Sequence, residues 1–262
     1  MTLLAGKNAI VYGGAGRVGT AVATAFAEEG AKVFLAGRTR SRLEEVAGRT
    51  RSRLEEVAGR IRAAGGAAET AEVDALDERA VDEHADAVAA QGGVDISVNL
   101  IAHGDVQGTP LVDMSLADYE RPVVTAVRTQ FLTARAAARH MILKGSGVIL
   151  LFGGAGEPVR EFAVGGLQVA FHALEAMRRQ IAAELGPHGV RTVTLRTGGI
   201  PETLPAGFPD REAIEENIAG KTMLGRAATL ADVGAVAAFV ASDRARTMTA
   251  STVNFSCGAL VD

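Results

Sequence analysis

The chain has 262 residues, 48% of them hydrophobic, and a formal net charge of −4 at pH 7. That is enough apolar material for one large core or two small ones, while the acidic balance, the 4% aromatic content and the absence of Trp argue against nucleic acid as a partner. A single cysteine, Cys257, excludes an internal disulfide framework and suits a reducing compartment, and no apolar run reaches the roughly 20 residues of a membrane span.

Strand and helix signals alternate along the whole length. This predicts an α/β fold of one domain over 1–262: a Rossmann-type doubly wound parallel sheet of about seven strands, with helices on both faces. The first seven residues lead straight into a buried strand at 7–12, so no signal peptide is expected and the expected location is the cytoplasm. After that strand, Gly14, Gly16 and Gly19 stand in the spacing Gly-x-Gly-x-x-Gly. One glycine allows the strand-to-helix turn, the next lets backbone amides approach a pyrophosphate, and the third lets the helix lie close to the strand. The phosphates then meet a helix N-terminus, where free N–H groups and the macrodipole favour anions. A helix from Val18 to Glu29 follows, with Val18, Val22, Ala25 and Phe26 on one face and Gly30 as its stop; the second strand is 32–36. A dinucleotide-binding domain is the reading of this stretch, against a bland glycine turn.

The next segment is a perfect tandem copy: the 11 residues from Gly37 to Ala47 recur unchanged from Gly48 to Ala58. Eleven residues make about three helical turns, roughly 16 Å, so the apolar face is preserved across the insertion. Leu43 and Val46 fall in line with Leu54, Val57 and Ile61. Either the helix after strand two is lengthened or one copy is displaced as a loop. The plain reading is a slip tolerated at a surface helix; a built interaction arm is the alternative.

Further strands are expected at 67–73, ending at Asp74, then at 95–101, 148–152, 190–195 and 252–256. Helices are expected at 77–90, 116–143 with Pro122 near its first turn, 166–185 and 212–218, and after the Thr229-x-x-Asp232 cap as far as Ala241. Gly166, Ala170 and Ala173 form a small-residue face, and the three-proline loop at 197–210 is a candidate lid.

The chain resembles the short-chain dehydrogenase/reductase superfamily over essentially its full length. The glycine turn, Asp74, Val98-Asn99, the run from Ala182 to Arg191, Gly198, Leu224-Gly225-Arg226, Asp232 and Gly258 carry the resemblance. It implies a nicotinamide cofactor held by Gly13, Gly14, Gly16, Arg17, Val18, Gly19, Arg38, Asp74, Asn99 and Gly198, with Asp74 at the adenine and Gly198 beside the nicotinamide. It also implies a homodimer or homotetramer joined through the two long helices flanking the site. Two departures matter. Where an acidic side chain usually holds the ribose 2′-hydroxyl of NAD, this chain has Ala36-Gly37-Arg38, so Arg17 and Arg38 are expected to clamp the 2′-phosphate of NADP(H). Arg49 of the second copy stands in for Arg38 if the first copy loops out.

The catalytic set departs further. The family's Tyr-x-x-x-Lys falls on Leu167 and Phe171, its Ser on Gly153 or Gly154, and its Asn near Ala126. The only tyrosines are Tyr12 and Tyr119, so no shift of alignment restores the Tyr, and the Tyr-x6-Lys spacing of enoyl reductases would put it at Val164. Leu167 and Phe171, four apart, make an apolar wall, and His172 points away from it. His103, after strand four, is the best remaining proton carrier. Gly153, Gly154, Glu157, Arg160, Leu167 and Phe171 are expected to line the substrate pocket, with Glu161 beside them. No metal-ligand spacing or Ser/His/Asp triad stands out. The expected function is NADP(H)-dependent oxidoreduction of a small carbonyl, alcohol or enone; the alternative is a non-catalytic nucleotide-binding sensor or partner subunit.

Overall fold

The computed structural model describes residues 2–38, 44–154, 162–205, 207–208 and 210–261; of residues 44–52 only the backbone is described. The strands are β1 (Asn8–Tyr12), β2 (Lys32–Gly37), β3 (Ala67–Glu72), β4 (Ile96–Asn99), β5 (Gly147–Gly153), β6 (Val190–Arg196) and β7 (Ser251–Asn254). All pair in parallel, in the order β3-β2-β1-β4-β5-β6-β7. The central strands are near-continuous apolar runs because both faces are covered; every residue of β1 is buried. The strand order reverses between β1 and β4, and ligands of such sheets sit at the carboxyl ends of the strands at this switch point.

The helices are α1 (Arg17–Glu28), α2 (Glu44–Ala63), α3 (Glu78–Ala89), α4 (Leu116–Lys144), α5 (Leu167–Leu185), α6 (Arg211–Gly220) and α7 (Leu230–Ala241). One core joins α1, α2 and α7 to the sheet through Phe26, Leu54, Ile61 and Val233. The other joins α3, α4 and α5 through Val81, Met141 and Leu174. The Thr229 cap forms as its sequence implies: Thr229 Oγ1 accepts from the Asp232 N–H, and Asp232 accepts in return from the Thr229 N–H.

Two sequence expectations change. α4 starts at Leu116 as expected, capped by Ser115, and Pro122 at its seventh position therefore falls in the second turn rather than near the first. The ring costs α4 the hydrogen bond to the Asp118 carbonyl and lies buried near Gly166 at the start of α5. In the tandem repeat, α2 runs through the whole second copy and takes in the last residues of the first, Glu44–Ala47. The second copy docks against the sheet. Leu54, Val57 and Ala58 are buried, and Leu54 lies 3.5 Å from where a Cβ on Gly37 would stand. Residues 39–43, with Leu43, and the side chains of Val46 and Arg49 fall outside the described set.

Candidate active site

The carboxyl ends of β1, β4, β5 and β6 bring most of the sequence-marked residues to one edge. The glycine turn is shaped by close approach. Gly13 has φ +79°, and a Cβ there would stand 2.6 Å from the Leu100 carbonyl oxygen; a Cβ on Gly19 would overlap the Gly13 carbonyl oxygen. Gly14 and Gly16 complete the turn, and Gly16 opens α1 with no side-chain cap, so the first-turn amides of Arg17, Val18 and Gly19 receive no side-chain acceptor. A cradle that a Cβ would fill, ending on uncapped amides, fits a dinucleotide pyrophosphate.

Each arginine of the expected 2′-phosphate clamp has its own partner. Arg38 Nε lies 3.8 Å from Asp74 Oδ1, joining the ends of β2 and β3. Arg17 Nη1 donates to the Glu202 carbonyl oxygen at 2.9 Å, and the Glu202 carboxylate accepts from the Leu230 N–H at 2.5 Å. The segment after β6 is thereby strapped to the glycine turn on one side and to α7 on the other. Asn99 is buried: its Nδ2 donates to Thr129 Oγ1 and its Oδ1 accepts from the Ile101 N–H, so it fixes the exit of β4. Gly198 is closely covered by the C-terminal tail, with Ala259 Cβ 2.6 Å from a built Cβ. The Leu224 N–H reaches the Cys257 carbonyl oxygen and Arg226 pairs with Asp232 at 2.8 Å, so these C-terminal marks hold the tail in place.

At the other end of the edge, Phe171 packs against the backbone of β5. Its ring lies 3.4 Å from a Cβ built on Gly153 and 3.5 Å from one on Gly154. His103 meets that ring edge-on, with centroids 5.9 Å apart and planes at 66°. Burial pushes the His103 imidazole below its ordinary range, while Asp105 pulls in the opposite direction. Leu167 opens α5 one turn before Phe171 and is half-buried. His172 is exposed and bonds its own helix at the Gln168 carbonyl. Tyr12 is buried against His84, with centroids 5.8 Å apart, and its hydroxyl has no hydrogen-bond partner among the described residues; burial raises its pKa. Glu157, Arg160 and Glu161 lie outside the described residues. Among the described residues no cluster of metal-ligating side chains forms, and no helix is long and apolar enough to cross a membrane.

Arg196 ends β6 directly opposite Gly153 in the parallel register.

The fold and the glycine cradle define a dinucleotide-binding α/β protein. A family model described as enoyl-(acyl carrier protein) reductase matches residues 14–259. The chain is similar to (+)-borneol dehydrogenase 1 of Salvia officinalis, with 30% identity over 248 residues, 92% of this chain and 89% of that one. It is also similar to secoisolariciresinol dehydrogenase of Forsythia intermedia, with 29% identity over 254 residues, 93% of this chain and 85% of that one. A solved short-chain type dehydrogenase/reductase from Mycobacterium marinum superposes with a TM-score of 0.82 at 28% identity, covering 99% of this chain and 97% of that one. The chain belongs to the short-chain dehydrogenase/reductase superfamily, a family of NAD(P)(H)-dependent oxidoreductases.

Proposed function

We propose that this protein is an NADP(H)-dependent oxidoreductase whose usual Tyr and Lys are replaced by Leu167 and Phe171, and whose usual Ser is replaced by Gly153 or Gly154. The observation that carries the reading is the contrast between the two ends of one edge: a complete glycine cradle at β1 and an apolar wall at β5 and α5. Gly13, Gly14, Gly16, Val18 and Gly19 hold the pyrophosphate, Asp74 the adenine side, and Arg17 and Arg38 the 2′-phosphate. The bound cofactor supplies or accepts the hydride. Leu167 and Phe171 exclude water and orient an apolar substrate face. His103, neutral at pH 7 because its pKa is lowered by burial, takes the hydroxyl proton as an alcohol becomes a carbonyl and returns it to solvent. The same neutral ring suits it less as an acid in the reverse direction.

The small-molecule site is read within a homodimer or homotetramer. Phe131, Ile142, Ile181 and Leu185 line an apolar groove between α4 and α5, with Phe131 half exposed; this supports packing through those helices. The non-catalytic alternative is kept by the absence of a side-chain acid at the usual Tyr position. The deciding experiment is calorimetric titration with NADPH and with NADH, followed by an alcohol and carbonyl screen. Selective NADPH binding with turnover supports the oxidoreductase, binding without turnover supports the sensor, and no binding of either cofactor rejects both.

A further inference from the structure

Glu202 joins two parts of the frame around the cofactor cradle, one through its side chain and one through its backbone. It stands in the middle of the turn Pro201–Thr203, which is held tightly: Ile200 and Pro201 are buried, the Thr203 N–H and Oγ1 both donate to the Ile200 carbonyl at 2.9 and 2.7 Å, and the Leu204 N–H donates to the Pro201 carbonyl at 3.0 Å. The Glu202 carboxylate accepts from the Leu230 N–H, the first amide of α7, at 2.5 Å. The Thr229 cap takes the Asp232 N–H, so Glu202 satisfies an amide that the cap leaves over, and the helix dipole favours a carboxylate there. The Glu202 carbonyl accepts from Arg17 Nη1 at 2.9 Å. Arg17 is the exposed first residue of α1, beside the uncapped amides of the glycine cradle. The circuit closes through the helices: a Cβ on Gly234 of α7 would stand 2.9 Å from Ala25 Cβ and 3.0 Å from the Ala21 carbonyl oxygen of α1. α7 is thus a fixed reference for α1, and Glu202 carries that reference to the Arg17 side chain.

We infer that Glu202 is a positioning residue for cofactor affinity: its carboxylate fixes the turn whose carbonyl holds the Arg17 guanidinium at the glycine cradle, in place for a cofactor phosphate. An exposed arginine without such a contact spreads over many rotamers, and ordering it opposes binding. The bond to Glu202 takes one of the five N–H donors of the guanidinium and orients the others. The inference rests on the reading of Arg17 as a phosphate ligand of NADP(H). The 2′-phosphate and the pyrophosphate offer the same chemistry, and the test separates them.

Glu202→Gln and Glu202→Ala both remove the charge, but only Gln keeps an oxygen to accept from the Leu230 N–H. The difference between them therefore reads the hydrogen bond alone. Calorimetric titration with NADPH is expected to give a dissociation constant about three- to tenfold higher for Glu202→Ala than for Glu202→Gln, the effect of one long side chain losing its fixed geometry. In an Arg17→Gln background the two are expected to bind alike, which a mere cap on α7 would not produce. The same comparison with adenosine 2′,5′-bisphosphate and with ADP assigns the phosphate: a gap with the first marks the 2′-phosphate, a gap with the second the pyrophosphate, and either supports the inference. Equal affinity of the two Glu202 variants for every ligand, or a gap that survives Arg17→Gln, overturns it. Failure of the underlying reading looks different. If the unaltered protein binds no NADPH, both fall; if it binds NADPH without turnover, the oxidoreductase reading fails and the same constants still decide the role of Glu202. Should Glu202→Ala fail to fold, Glu202→Met, of similar length and without the oxygen, takes its place in the cycle.

Discussion

Replacing Arg38 by Gln isolates the cofactor preference. In the structure Arg38 Nε is 3.8 Å from Asp74, with side chains 30% and 50% exposed. A half-exposed pair at that distance contributes about 0–1 kcal/mol, so it yields to a phosphate with three acceptor oxygens and nearly two charges. A charge-assisted contact to that phosphate contributes about 1.5–3 kcal/mol, or roughly 10- to 100-fold in affinity. Arg38→Gln also removes the Arg38–Asp74 pair, which NADPH displaces and NADH leaves in place, and this offsets at most about fivefold of the loss in preference. Calorimetric titration of both proteins with both cofactors should therefore show the NADPH preference falling by about 10- to 100-fold while NADH affinity moves little. An unchanged ratio would refute the 2′-phosphate clamp, and Arg38 would then be a residue that merely ties β2 to β3.

Three other outcomes are expected. Once a substrate is in hand, His103→Ala should cut alcohol oxidation by about 100-fold or more without changing cofactor affinity. The unaltered enzyme should be flat above pH 7 and lose activity only as acid protonates an imidazole whose pKa burial has lowered; a rise in activity through pH 8 to 9 would point to another base. His84 is buried neutral beside Tyr12, with its pKa pushed down to about 4. The unfolded chain takes up that proton near pH 6.5, before the folded one does, so stability should fall as pH drops from about 6.5 to 4, by up to about 3 kcal/mol. His84→Phe should flatten that part of the melting curve, and equal slopes for both proteins would exclude His84 as the cause. Deleting residues 48–58 leaves one copy of the repeat, with Leu43 and Val46 moved into the places of Leu54 and Val57; the melting temperature should stay within about 3 °C, the shift that ~1 kcal/mol makes in a domain of this size. A larger drop would mean that the added length of α2 contributes to the fold.

The glycine cradle was legible because its chemistry is local: strand, turn, cradle and helix are consecutive in the chain. The cap at Thr229 was legible for the same reason. What could not be read were contacts set by the tertiary fold. Arg17 meets Glu202 across 185 positions, and no local pattern announces that the clamp residue also holds the segment after β6. Arg38 and Asp74 were both placed at the cofactor, but not against each other. The start of α4 at 116 was legible, and the Ser115-x-x-Asp118 capping signal behind it places Pro122 in the second turn. The repeat is a different case. Because 11 residues preserve the helical face, both copies carry the same apolar stripe in sequence, and only the contact of Leu54 with Gly37 shows that the second docks.

The replacement proposed for the catalytic set does not by itself argue for an inert protein, and magnitudes decide why. A positioned proton donor contributes roughly 10²- to 10⁴-fold, about 3–5 kcal/mol. Holding cofactor and substrate in a reacting geometry contributes roughly 7–11 kcal/mol. Leu167, Phe171 and Gly153 give up most of the first amount, and His103 at the Phe171 ring offers part of it back. The second amount depends on the glycine cradle, the arginines and whatever anchors the substrate. Slow turnover with cofactor affinity intact is the kinetic signature this division of labour implies, and turnover at the rate of a site with a positioned tyrosine would contradict it.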